Sequence, residues 1–177
     1  MKQITVLAFL LISIAGFGQT NSWYKLSTPV FEISFPNKPT ASTQQIPSAV
    51  GELTLNLHML EAKDGDKEDI LLYMTNETDY PDTVVNSKYT DRLETFFKGS
   101  IEGMLKNTGG QLLESKNLEM KGYSGRQVKI DYQNGVATIV VQLYLVKNKL
   151  IMAQVFVKPD KEGNTDQKTF FDSFKIL

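Results

Sequence analysis

His58 is the only histidine in the chain, so a Ser-His-Asp relay or a histidine metal site must use it. It stands in the stretch GELTLNLHMLEA. There Leu53, Leu55, Leu57 and Met59 alternate with Thr54, Asn56 and His58, the period of a half-buried strand. Parity puts His58 on the polar face, as a solvated strand residue or a contact for a ligand or partner. DGDKED places Asp64, Asp66, Glu68 and Asp69 within six residues. Alternate carboxylates are hard ligands, and Asp64, Asp66 and Glu68 are the candidates for a weak calcium site. The glycine and glutamate of an EF-hand loop are missing, so a solvated acidic turn is the expected structure. GYSGR offers Tyr123 and Arg126 as a third candidate, an anion or ligand site with Tyr123 as its lid. Arg126 shares parity with Val128, Ile130 and Tyr132, so it points to an apolar face, where a buried guanidinium needs a carboxylate partner or a carbonyl clamp. Neither a dinucleotide nor a P-loop spacing occurs, and no cofactor is expected.

Composition removes several functions. The chain has 177 residues and no cysteine, which rules out thiol catalysis, thiolate metal sites and a lipid anchor on an N-terminal cysteine. Basic and acidic residues number 19 and 20, so no basic excess invites nucleic acid. Ten Phe and seven Tyr argue for a packed core rather than disorder. Lys2 followed by ITVLAFLLISIAGF reads as a signal peptide over residues 1–18. Gly16 and Gly18 suit the cleavage pockets, with the cut before Gln19. Residues 19–177 then form one domain with no membrane span, periplasmic or secreted.

The elements that position these residues follow from periodicity. WYKLSTPVFEISFP reads as two short strands, with Phe31, Ile33 and Phe35 on one face. NKPTASTQQIPS, rich in proline and small polar residues, reads as a surface loop. GELTLNLHMLEA and ILLYMTNETDY pair across the acidic turn. A helix spans about residues 87–107, with Tyr89, Leu93, Phe96, Phe97, Ile101, Met104 and Leu105 on one stripe. NTGG ends it. Two strands joined at KGYSG follow. Asn134-Gly135 marks a hairpin that pairs Tyr132 with Ala137, Ile130 with Ile139 and Val128 with Val141. The two strands of VATIVVQLYLVKNKLIMAQVFV are apolar on both faces, so they lie centrally. NTDQKTFFDSFKIL begins with Asn164 as N-cap and Gln167 three residues on. Its Phe170, Phe171 and Phe174 make one face of a short helix that lids the sheet. The expected fold class is α+β, an antiparallel β-sheet flanked by helices in an α/β/α sandwich.

The order FEISFP, helix, GGQLLESKNLEM, GYSGRQVKI, long hairpin and FFDSFKI is similar to that of PsbP-like proteins and their small exported bacterial relatives. The resemblance covers about residues 23–177. It implies the α/β/α arrangement and a binding or accessory role, and it carries over no catalytic residue. The reading is an exported, non-enzymatic module that binds an envelope protein or a small ligand, through loops 36–49 and 63–69 and the turn at Tyr123. The first alternative is a carrier of a small apolar ligand, with a pocket between sheet and helix lined by Phe96, Phe97 and Tyr144. The second is a carboxylate-dependent hydrolase.

Overall fold

The computed structural model describes residues 23–48, 50–64 and 67–177. The expected signal peptide with its cut before Gln19, and the candidate ligand Asp66, lie outside them. The described residues open with β1 (Tyr24–Ser27) and β2 (Phe31–Phe35). They are antiparallel, with Phe31, Ile33 and Phe35 buried and Lys25 paired to Glu32 at 2.7 Å on the outside. Then come β3 (Thr40–Ser48), β4 (Gly51–Glu61) and β5 (Ile70–Asp79). β3 replaces the expected loop. Its residues pair with β4 from Thr40↔Met59 to Ser48↔Gly51, yet all but Ile46 are exposed. A strand wet on both faces carries no apolar alternation, so its sequence looks like a loop.

Helix α1 (Leu93–Thr108) starts later than its periodicity suggests, after a single 3₁₀ turn at Thr90–Arg92. The Asn86 side chain accepts the Lys88 N–H at 2.9 Å, and the Ser87 N–H donates to the Lys147 carbonyl at 2.7 Å. These bonds hold the preceding residues in a turn that competes with helix. α1 ends, as expected, at Gly109 in the left-handed conformation, φ 64°.

The antiparallel run β6 (Gln111–Met120), β7 (Tyr123–Tyr132), β8 (Ala137–Val146) and β9 (Lys149–Val157) follows. The β7–β8 register is the one expected, including Val128↔Val141, Lys129↔Val140 and Gln127↔Gln142. The turn is wider than two residues: Gln133, Asn134 and Gly135 all have positive φ, and the Val136 N–H closes on the Tyr132 carbonyl at 3.1 Å. The β6–β7 turn is tighter than KGYSG suggested. Only Lys121 and Gly122 turn, both with positive φ, and Tyr123 already pairs with Met120. The Asn164 side chain caps α2 (Thr165–Asp172) by accepting the Gln167 N–H at 2.8 Å. The chain closes in β10 (Lys175–Ile176), which pairs with β2.

Two sheets result. β1, β2 and β10 form a small one; the large one has the order β3-β4-β5-β9-β8-β7-β6, with β9 and β8 central as their double apolar faces require. On one face α1 covers Val128, Ile139, Val141, Leu143 and Leu150. On the other, α2 and the small sheet cover Tyr73, Val140, Tyr144, Ile151 and Val155. The three layers are helix, sheet, and a mixed layer of helix and small sheet.

Candidate functional site

The polar parity of β4 continues into β5 through register. His58 sits opposite Thr75 and Ala41, Asn56 opposite Glu77, and Asp79 opposite Lys149. These residues share the α2 face beyond the edge of the small sheet, whose Thr28–Pro29 corner forms the far wall. The result is an open groove of about 590 Å³ lined by His58, Asn56, Thr43, Glu77, Asp79 and Lys149. Lys149 Nζ donates to Glu77 Oε1 at 2.8 Å and also to Asp79. Burial pulls the Lys149 pKa down, but hydrogen bonds to Asp79 and Glu77 outweigh it and hold the ammonium above its usual range. Burial lowers the His58 pKa, opposed by the charge of Glu77. His58 therefore does not simply face solvent: it forms part of a groove floor, half-buried, with burial disfavouring its charged form and a carboxylate beside it.

One ammonium bridging two carboxylates is a clamp. A hydrolase of the carboxylate type needs one group free to take or give a proton, whereas here both carboxylates hold Lys149. Glu77 is 12% exposed at its side chain, so an unpaired charge there is unfavourable. Lys149→Met should cost about 1–2 kcal/mol, below the value for a fully buried pair because Lys149 and Asp79 reach water. The folded-state pKa is raised, so this contribution is present below the unfolded lysine value of roughly 10.4 and is lost as pH rises through the folded one. Urea melts at several pH values should show a constant gap between parent and variant at roughly pH 7–9 that closes only as pH rises beyond roughly 10.4. A gap that widens with alkali would contradict the clamp.

Tyr123 and Arg126 do not form one site. Tyr123 lies on the α2 face, packed against the core with Met120 and Leu118. Arg126 lies on the α1 face, opposite Asn117 of β6 and Leu143 of β8. With Tyr123 inside the strand instead of a loop, three residues of separation reverse the side. His58 shares the face of Tyr123 but stands four strands away, roughly 19 Å. Arg126 takes the two partners its burial calls for. Its Nη1 donates to the Gly125 carbonyl at 2.7 Å, Nη2 pairs with Glu94, and the guanidinium stacks on Phe97 at 4.5 Å.

In the acidic turn, the Asp64 carboxylate holds Lys67 Nζ at 2.7 Å, while its carbonyl accepts the N–H groups of Lys67 and Glu68. Glu68 points instead toward a hollow with Asp166 and Tyr73. Asp64 and Glu68 thus do not converge.

Between α1 and the β4–β5–β9 part of the sheet lies a mainly apolar recess of about 490 Å³. Leu55, Met74, Met104 and Met152 line it, with Gly99 and Gly103 on the helix side. Added Cβ atoms at those glycines would meet nothing within 4 Å. The side-chain oxygen of Asn76 is buried at this recess without a hydrogen-bond partner. The aromatics expected to line such a pocket are elsewhere. Phe96 stacks on Tyr80 and Phe97, at 5.5 and 5.6 Å, and Tyr144 is on the opposite face against Phe174.

The Glu77–Asp79–Lys149 clamp escaped the sequence reading. A signal existed, since Glu77 and Asp79 share parity on a recognised strand, but their partner lies about seventy residues on. The free edge of β3 escaped it as well.

No protein-family model matches the chain, and no curated protein does. Among solved structures the chain is similar to cyanobacterial PsbP (CyanoP) from Synechocystis sp. PCC 6803, determined in solution. The identity is 15% and the TM-score 0.54, over 94% of this chain and 99% of that one. Among the described residues no helix is long and apolar enough to cross a membrane. A likeness at this identity is one of architecture: the chain has the PsbP-like α+β fold, an antiparallel sheet between a helix on one face and a helix with a small sheet on the other.

Proposed function

We propose that the protein is an exported, non-catalytic binding or accessory module of the envelope that takes an extended segment of its partner along β3. The supporting observation is the edge itself. β3 offers nine residues, TASTQQIPS, without a charge, and its outer side pairs with nothing among the described residues. Edge strands are usually blunted by charges, prolines or bulges, and β3 has only one such device, Pro47 near its end. The other edge follows that rule: β6 carries Glu114, Lys116 and Glu119 and an irregularity at Leu113. Proline in an edge strand turns its missing donor to solvent. With Pro47 so placed, alternation points the backbone groups of Gln45, Thr43 and Ala41 outward, ready to accept a strand. The groove with His58 runs beside these residues and can receive the incoming side chains. The proposed surface lies within residues 36–49, on β3, and includes neither residues 63–69 nor Tyr123.

The test pairs two measurements. A photo-crosslinker at Thr43 or Gln45 should trap a partner in the native envelope, and one at Glu119 should not. Hydrolase panels on the purified protein should stay at background. Turnover abolished by His58→Ala or Glu77→Gln would sink the non-catalytic reading, and crosslinks only at Glu119 would discard β3. A second reading, a carrier of a small apolar ligand between sheet and helix, is favoured by the apolar recess and the unpartnered Asn76 oxygen.

A further inference from the structure

Along the outer side of α1, between that helix and β6, runs a cleft of about 470 Å³. Its floor holds Arg126, 6% exposed, and the carboxylate that neutralises it belongs to Glu94, whose side chain is 82% exposed. A structural ion pair for a buried guanidinium would normally be enclosed on both sides. Here the counter-ion is a long surface side chain that must give up rotamer freedom to stay in place. Arg126 is buried and must keep a negative partner, but Glu94 itself is exposed, so a second carboxylate can take its position.

The cleft is graded along its length. Arg126, Glu94 and Asn117 mark one end, and Asn117 is the cross-strand neighbour of Arg126. Ile101, Leu105 and Leu112 mark the other, and Leu112 is 46% exposed at its rim. From Glu94 to Leu105 the helix rises roughly 16 Å. Lys98 and Glu102 on the rim offset each other, which leaves the charge of Arg126 to be balanced by a single negative group. A multiply charged anion would meet Glu94 and Glu102 as well.

We propose that this cleft binds a small amphiphilic monocarboxylate, its carboxylate replacing Glu94 on Arg126 and its aliphatic chain lying along Ile101, Leu105 and Leu112. The inference rests on the carrier reading and gives it a second site, apart from the apolar recess and the β3 edge. The fork of Arg126 suits a planar carboxylate in two-point contact, and the apolar end supplies the area that holds the chain.

Calorimetry with decanoate, decanol and acetate tests it. Decanoate should bind, with decanol and acetate weaker by about tenfold or more, the loss of the charged contact or of the chain. Glu94→Gln should tighten decanoate about two- to fivefold by removing the competing carboxylate. Leu112→Glu should weaken it about tenfold by placing a charge beside the chain. Leu112 is exposed, and a glutamine at position 94 still offers Arg126 an amide oxygen; circular dichroism and urea melts verify that both variants are folded before binding is read. Decanoate binding left unchanged or weakened by Glu94→Gln would overturn the proposal. Equal binding of decanol and decanoate, insensitive to both substitutions, would overturn it too while sparing the carrier reading in the apolar recess. No binding of either chain would remove both.

Discussion

Phe174→Ala is expected to destabilise the protein by about 3–5 kcal/mol, the range for an emptied buried phenylalanine site. The ring is 2% exposed and stands edge-on to Phe31 and tilted against Tyr144, each at 5.7 Å. It thus joins three elements distant in sequence: the small sheet, the centre of the large sheet, and the end of α2. α2 has eight residues and would not form alone. Its stability comes from Phe170, fully buried between Phe35 and Tyr73 at 5.3 Å from each, and from Phe174. Emptying the second site also loosens β10, where Ile176 pairs with Phe31. Urea melts of parent and variant measure the effect. A loss under about 1 kcal/mol would mean that the tail is not docked as described.

Gly125→Ala is the second large effect expected, about 2–3 kcal/mol, toward the upper part of the usual range for overpacking. A Cβ there would lie 2.5 Å from the Leu143 carbonyl oxygen and 2.5 Å from Cδ1 of Tyr144. Neither can yield easily: the carbonyl belongs to a central strand, and the tyrosine ring is held by Phe174. The same exchange at Gly99 is the internal control. There the added methyl meets nothing within 4 Å, and the helix gains about 0.5–1 kcal/mol. Thermal or urea melts should therefore show opposite signs for the two alanines. Equal losses at both would show that close approach to Tyr144 is not what glycine serves at position 125.

Some of this structure is legible one residue at a time. The β7–β8 register follows from alternation, because a slip by one would turn Val128, Ile130, Val141 and Ile139 away from α1. β8 and β9 announce their central place by being apolar on both sides. Asn164 and Gln167 mark the start of α2, and the parity of Arg126 with Val128 and Ile130 sets which face it joins. The order of elements could be read from the same patterns, since local periodicity and turn chemistry are written in consecutive residues.

Other features exist only after folding. β3 has no apolar face to reveal it, since it lies beyond both covering layers and is held by its backbone bonds to β4. Lys149 meets Glu77 and Asp79 because β5 happens to neighbour β9, a choice made by the packing of the whole sheet. Glu94 reaches Arg126 only because α1 crosses β7. Tyr123 was separated from Arg126 by the length of a turn, two residues instead of five. The sequence by itself determined which segments are strands with a buried side, where α1 ends and α2 begins, and which way the side chains of those strands alternate. Tertiary structure alone decided which charges converge, which edge stays open, and where clefts remain between layers, because those depend on contacts between residues far apart in the chain, whose pairing no local pattern encodes.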